Sequence, residues 1–198
     1  MISSQRLSNS TADRIEAIQI ARDGLEAFTN IRDTNWQLFA ADYENCWNTL
    51  NYSGACIGND AIWHRIRWWS LWTDERRFII YKNTNNQFSL EDRLENPTWF
   101  NFSNTTAGQD YKEAFRVWLD SNWFYTQGSA NIVTDLNPVY TRSLRTNYVD
   151  TDGSGPPDQS RFDDKIIVTA KVEWYDPASD TPRELEMSTV LTNWKAKK

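Results

Sequence analysis

The stretch Ile20–Trp36, IARDGLEAFTNIRDTNW, decides the fold of this chain. Its apolar residues recur every three or four positions, the spacing of one face of an α-helix. The stretch reads as the end of a helix, because the same rhythm runs upstream. Ile15, Ile18, Ala21, Leu25 and Phe28 form one stripe, with Ala17, Ile20, Gly24, Ala27 and Ile31 beside it. Arg14, Gln19, Arg22, Asp23, Glu26 and Arg32 fall mostly outside both. The spacing predicts an amphipathic helix over about residues 11–33, with Ile15, Ile18, Leu25 and Phe28 on its core face. Several face residues are small, which suits close approach to a sheet or a second helix. Ser8-Asn9-Ser10-Thr11 can cap an N-terminus and is also compatible with a longer helix at some cost in propensity.

Beyond Trp36 the helical period stops. Residues 37–75 carry polar clusters, Gly54, Gly58 and both cysteines, Cys46 and Cys56. Cytosolic thiols stay free, whereas in an exported chain this pair closes a small loop; the disulfide is the expectation here. A single histidine, His64, argues against a Cys/His zinc site. The segment 61–72, AIWHRIRWWSLW, is dense in aromatic and basic residues. Trp63, Arg65, Arg67, Trp68, Trp69 and Trp72 read either as core packing or as a surface that stacks on glycans or nucleotides. Adjacent Trp68 and Trp69 cannot both face inward if the segment is a strand.

From residue 78 onward the chain turns to β character. FIIY, the turn-rich KNTNN and QFSL fit a hairpin. FRVWLDSNWFYTQG, residues 115–128, fits a second with Asp120-Ser121-Asn122 at its turn, against a competing helix over 110–119. Ile166, Val168, Ala170, Val172 and Trp174 alternate with Ile167, Thr169, Lys171, Glu173 and Tyr175 and end at Asp176-Pro177, the two-residue period of a strand. After Pro182, Leu185, Met187, Thr189 and Leu191 continue the alternation in a strand expected to pair with it antiparallel. The expected class is therefore α+β, one N-terminal helix on an antiparallel sheet in a single domain over 1–198.

Composition narrows the function classes. A chain of 198 residues with 39% hydrophobic content can bury one real core. It contains no run of about 20 apolar residues and no secretory signal, so it reads as soluble as given. A formal charge of −6 disfavours general binding to phosphate backbones. No nucleophile elbow, phosphate loop or dinucleotide fingerprint occurs, and His64 has no evident acid partner. No catalytic residue is assigned, and a non-enzymatic protein is expected. Asp150, Asp152 and Asp158 in the loop after residue 149 offer oxygen ligands for Ca²⁺ but do not match an EF-hand; a solvated acidic loop explains them as well. No other cofactor is implied.

IARDGLEAFTNIRDTNW resembles the region after the membrane segment of type IV pilin-like proteins. YTRSLRTNYVD, DDKIIVTAKVEWYD and RELEMSTVLTNW resemble their closing strands, in the expected order. NCW at 45–47 is similar too, while the middle third matches only loosely. The resemblance implies a pilin-like fold and a minor pilin or pseudopilin that copolymerises into a surface fibre with other pilin subunits. It implies an extracytoplasmic protein, held in the inner membrane before assembly by a hydrophobic half-helix missing here. The processing motif and assembly glutamate of that family have no counterpart in this chain, which implies a truncated chain with Met1 as a start residue. The alternative is a Trp-rich tip adhesin for glycans, a host-cell surface or DNA.

Overall fold

The computed structural model describes residues 2–42, 46–47, 49, 52, 54–57, 77–82, 85, 87–93, 115–127, 134–136, 139–149, 165–176 and 181–192. Among these residues one long helix, α1 (Ile2–Leu38), is followed by a 3-10 turn (Gly54–Cys56) and eight strands. These are β1 (Arg77–Lys82), β2 (Phe88–Arg93), β3 (Trp118–Leu119), β4 (Tyr125–Thr126), β5 (Thr134–Asp135), β6 (Tyr140–Val149), β7 (Lys165–Asp176) and β8 (Thr181–Thr192). Five strands form an antiparallel sheet in the order β2-β1-β6-β7-β8, and β4-β3-β5 form a small second sheet. The helix packs on the larger sheet, so the α+β layout is present.

The helix exceeds its predicted bounds at both ends. It has 37 residues, about 55 Å at 1.5 Å per residue. Ser8-Asn9-Ser10-Thr11 lie inside it rather than capping it.

The long strands follow their two-residue period. Ile166, Val168, Ala170, Val172 and Trp174 of β7 turn toward α1, and all are buried. Register then fixes their neighbours. Ala170 sits opposite Leu144 on one side and Met187 on the other; Val172 lies between Arg142 and Leu185. The opposite face carries polar pairs: Lys171 bridges Glu173 and Glu184 at 2.9 Å each, Arg145 pairs with Glu186, and Thr169 with Ser188. The expected hairpin at 78–90 is present as β1 and β2, paired from Arg77↔Arg93 to Lys82↔Phe88. The second hairpin forms too, but its strands are only two residues long. Trp118–Leu119 is strand, which rejects the helical reading there.

The large sheet is split near its middle. β1 and β6 pair only at Arg77↔Arg145 and Phe78↔Leu144. Past that point Gln127, just after β4, fills the gap with backbone and side chain. Its N–H donates to the Ile80 carbonyl at 3.0 Å, and its Oε1 accepts the Ile80 N–H at 3.2 Å. Its Nε2 donates to the carbonyls of Phe115 and Arg142, at 2.8 and 2.6 Å. A side-chain amide offers two donors and two acceptor positions; Arg142 Nε takes the last, at 3.1 Å. A fully satisfied buried amide replaces the missing ladder and ties the small sheet to the large one.

The predicted core face of the helix is corrected in part. Leu25 and Phe28 are buried, with the Phe28 ring edge-on to Phe78 at 5.9 Å. Ile18 is only half-buried, and Ile15 is 52% exposed. The buried face centres instead on the neighbouring stripe, Ala17, Ile20, Gly24, Ala27 and Ile31, joined by Ala21, Leu25 and Phe28 of the first. The cause is close approach. A Cβ on Gly24 would sit 3.0 Å from Leu144 Cδ2 and 3.1 Å from Arg142 Cδ, so two β6 side chains reach the helix backbone where a side chain is missing. With the small residues turned down, Ile15, two positions from Ala17, lies on the far side of a 3.6-residue turn.

Candidate functional site

Along α1 two halves differ. From Ser8 to Glu16 no described side chain is buried; Ser8, Asn9, Thr11, Ala12, Arg14 and Ile15 are exposed. From Ala17 the inner face is closed by the sheet. The boundary is held by Tyr140, the first residue of β6. Its hydroxyl donates to Glu16 Oε2 and to the Asp13 carbonyl, at 3.2 Å each. Burial pushes the Tyr140 phenol well above the ordinary tyrosine range, and the negative charges of Glu16 and Asp13 add to this, so it stays a neutral donor. Burial raises the Glu16 carboxyl, opposed by the Tyr140 hydrogen bond and assisted by Asp13. Asp13 is raised by burial and by Asp176.

Under the closed half lies Arg142, fully buried. Its Nη1 donates to the Ile20 carbonyl at 3.1 Å and to Asp23 Oδ2 at 2.9 Å. Burial lowers its pKa and Asp23 pulls it back up; a guanidinium remains charged regardless. Sequence reading did not single out Arg142, though a signal was there. Arg142 shares its strand phase with Tyr140 and Leu144, so a strand with Leu144 inward must bury an arginine.

At the C-terminal end the helix is clamped. Asn35 Nδ2 donates to the carbonyls of Thr49 and Trp47, at 3.0 and 3.3 Å. Cys46 and Cys56 form the expected disulfide, with Cα atoms 5.3 Å apart, and pack with Phe39 in a small apolar cluster.

The β3–β4 turn, missed by sequence reading as a site, presents two aromatic rings. Trp123 is 75% exposed and Phe124 is 44% exposed. Trp123 has φ 63°, in the left-handed region where glycine or asparagine is usual. The turn is braced by buried Asp120, whose Oδ1 accepts the N–H groups of Asn122 and Phe124 at 2.8 and 3.0 Å. Two backbone bonds, Asp120 N–H to the Phe124 carbonyl and Trp123 N–H to the Asp120 carbonyl, close it at 3.0 Å each. The Lys82 ammonium lies 3.4 Å from the Phe124 ring centroid.

The predicted aromatic-basic surface, Trp63, Arg65, Arg67, Trp68, Trp69 and Trp72, lies outside the described residues, as does His64. So do Asp150, Asp152 and Asp158 of the predicted Ca²⁺ loop. Among the described residues no group of three His, Cys, Asp or Glu side chains could hold a metal. Among them, too, no helix is long and apolar enough to cross a membrane. No protein family, no curated protein and no solved structure matches the chain. What stands on geometry is the class: an α+β protein with one long helix across an antiparallel sheet.

Proposed function

We propose that this chain is the globular part of a type IV pilin-like subunit, a non-enzymatic protein that copolymerises through its N-terminal helix into an extracytoplasmic fibre. One observation carries the reading: among the described residues, fully buried side chains on the 37-residue helix begin at Ala17, and Ser8–Glu16 continues as helix with none. Isolated helical segments this short are marginal in water, so the exposed turns gain most if other subunits cover them. The disulfide at the other end suits an oxidising compartment. In this reading the partners are other pilin subunits and, before assembly, the inner membrane, reached by a hydrophobic helix upstream of Ser3.

The coding sequence upstream tests it. A short leader followed by about 20 apolar residues in frame is expected. A cleavable secretory signal running directly into Ser3 sinks the reading. If the segment is present, Ile15→Asp should leave the soluble domain folded and abolish incorporation into fibres, scored by immunogold labelling.

A further inference from the structure

We propose that the β3–β4 turn is a binding site for a carboxylated sugar, whose ring stacks on the Trp123 indole while its carboxylate pairs with the Lys82 ammonium. The site stands independently of how the chain assembles. Trp123 is disfavoured at its position twice over. Its indole faces water at 75% exposure, and its backbone sits at φ 63°, where a side chain is strained. Folding stability alone would favour glycine or asparagine there. The turn is nonetheless held rigid by four hydrogen bonds around Asp120, so the indole is presented on a fixed backbone. A preorganised aromatic loses little entropy on binding.

The cation on the neighbouring Phe124 ring selects the ligand. Lys82 lies over the Phe124 ring, one residue along from Trp123, and within 5.3 Å of the Phe88 centroid. Among the described residues it pairs with no carboxylate, although the chain carries 27 acidic residues. Its ammonium retains donors for an incoming anion. A cation held on the ring next in sequence to an exposed indole matches a sugar with a single carboxylate. A polyphosphate chain fits worse, because the net charge of −6 repels it.

The test uses the full chain labelled with 5-fluorotryptophan and followed by fluorine NMR, with the Trp123 resonance assigned by its loss in Trp123→Gly. Sialyllactose and trigalacturonate are titrated against lactose and a single-stranded oligonucleotide. Both acidic sugars should shift the Trp123 resonance, with lactose about tenfold weaker, the worth of roughly 1.4 kcal/mol. Lys82→Met should abolish that preference. Trp123→Gly should lose sugar binding, read by saturation transfer on the sugar, yet melt at the same or a higher temperature, because glycine accepts the left-handed backbone. The proposal is overturned if neither acidic sugar binds, if lactose binds equally, or if Trp123→Gly binds as the parent does. Tighter binding of the oligonucleotide would overturn it in favour of a nucleic-acid surface. A Trp123→Gly chain that melts lower would make the indole a structural residue and also reject it.

Discussion

Two halves of one helix behave as different materials. Residues 17–36 of α1 bury Ala17, Ile20, Ala21, Leu25, Ala27, Phe28 and Ile31 against the sheet, and Arg142 and Asn35 tie the helix to neighbouring backbone. No described side chain of residues 8–16 is fully buried, and Tyr140 ties this half to the sheet through its hydrogen bonds at Asp13 and Glu16. Both halves share helical backbone geometry, although Ser8-Asn9-Ser10-Thr11 give the outer half a lower intrinsic propensity. What separates them is tertiary burial, which supplies most helix stability in proteins. The inner half is buried in this domain, and the outer half presents mostly exposed side chains.

The sharpest way to break this contrast is a matched pair of truncations. Phe28→Ala should cost about 3–5 kcal/mol, since a fully buried ring is removed and a cavity remains. Ile15→Ala should stay within about 0.5 kcal/mol of the parent. Urea midpoints measure both; equal losses would mean that the outer half is packed as firmly as the inner.

Asp23→Ala comes next. It leaves the Arg142 charge buried without its carboxylate, at a cost of about 3 kcal/mol, the low end for breaking a buried pair because the Asp23 side chain is partly in water. A melting temperature unchanged by this variant would show that Gln127 and the Ile20 carbonyl suffice for Arg142.

The clamp beyond the inner half is tested by Cys46→Ser with Cys56→Ser. Closing so short a loop restricts the unfolded chain by about 2–3 kcal/mol, so the double variant should lose that much in chemical denaturation. Intact mass after denaturing alkylation without reductant should show no modified thiol in the parent.

Gly24→Ala sets two effects against each other. Alanine gains about 1 kcal/mol of helix propensity, but its methyl meets Leu144 and Arg142 at 3.0–3.1 Å. Overpacking a buried site costs about 1–3 kcal/mol, so the net effect should be destabilising by about 1 kcal/mol. A stabilised variant would mean the helix can lift from β6 without penalty.

The smallest effect lies at the boundary. Asp13 and Glu16 have folded-state pKa values raised above the ordinary carboxylate value. Through the window from those raised values down to the ordinary unfolded values near about 4, the folded state holds more protons, so these two groups favour folding as pH falls. Glu16→Gln should remove its part of that slope in melting temperature against pH. An unaltered slope would place Glu16 in solvent.

The element order was legible because each element obeys a local period. Ile166 to Trp174 alternate without interruption, so β7 could be read directly, and Leu185 to Leu191 supplied its partner β8. The Cys46–Cys56 bond was legible because no other cysteine competes. The rotation of the helix was not. Two apolar stripes stand side by side on α1, and periodicity cannot choose between them. The choice falls to Gly24, whose role depends on Arg142 and Leu144, more than a hundred residues away.

The amino-acid sequence by itself determined one amphipathic helix, the long antiparallel strands and the disulfide, because periods of 3.6 and two residues and a lone cysteine pair are properties of neighbouring residues. Only the tertiary structure decided which stripe of the helix faces inward, where its cover ends, why Gln127 and Arg142 are buried, and that Trp123 stands in solvent on a braced turn. Those outcomes depend on close packing between distant segments, where gaps of a few tenths of an ångström decide which side chains fit.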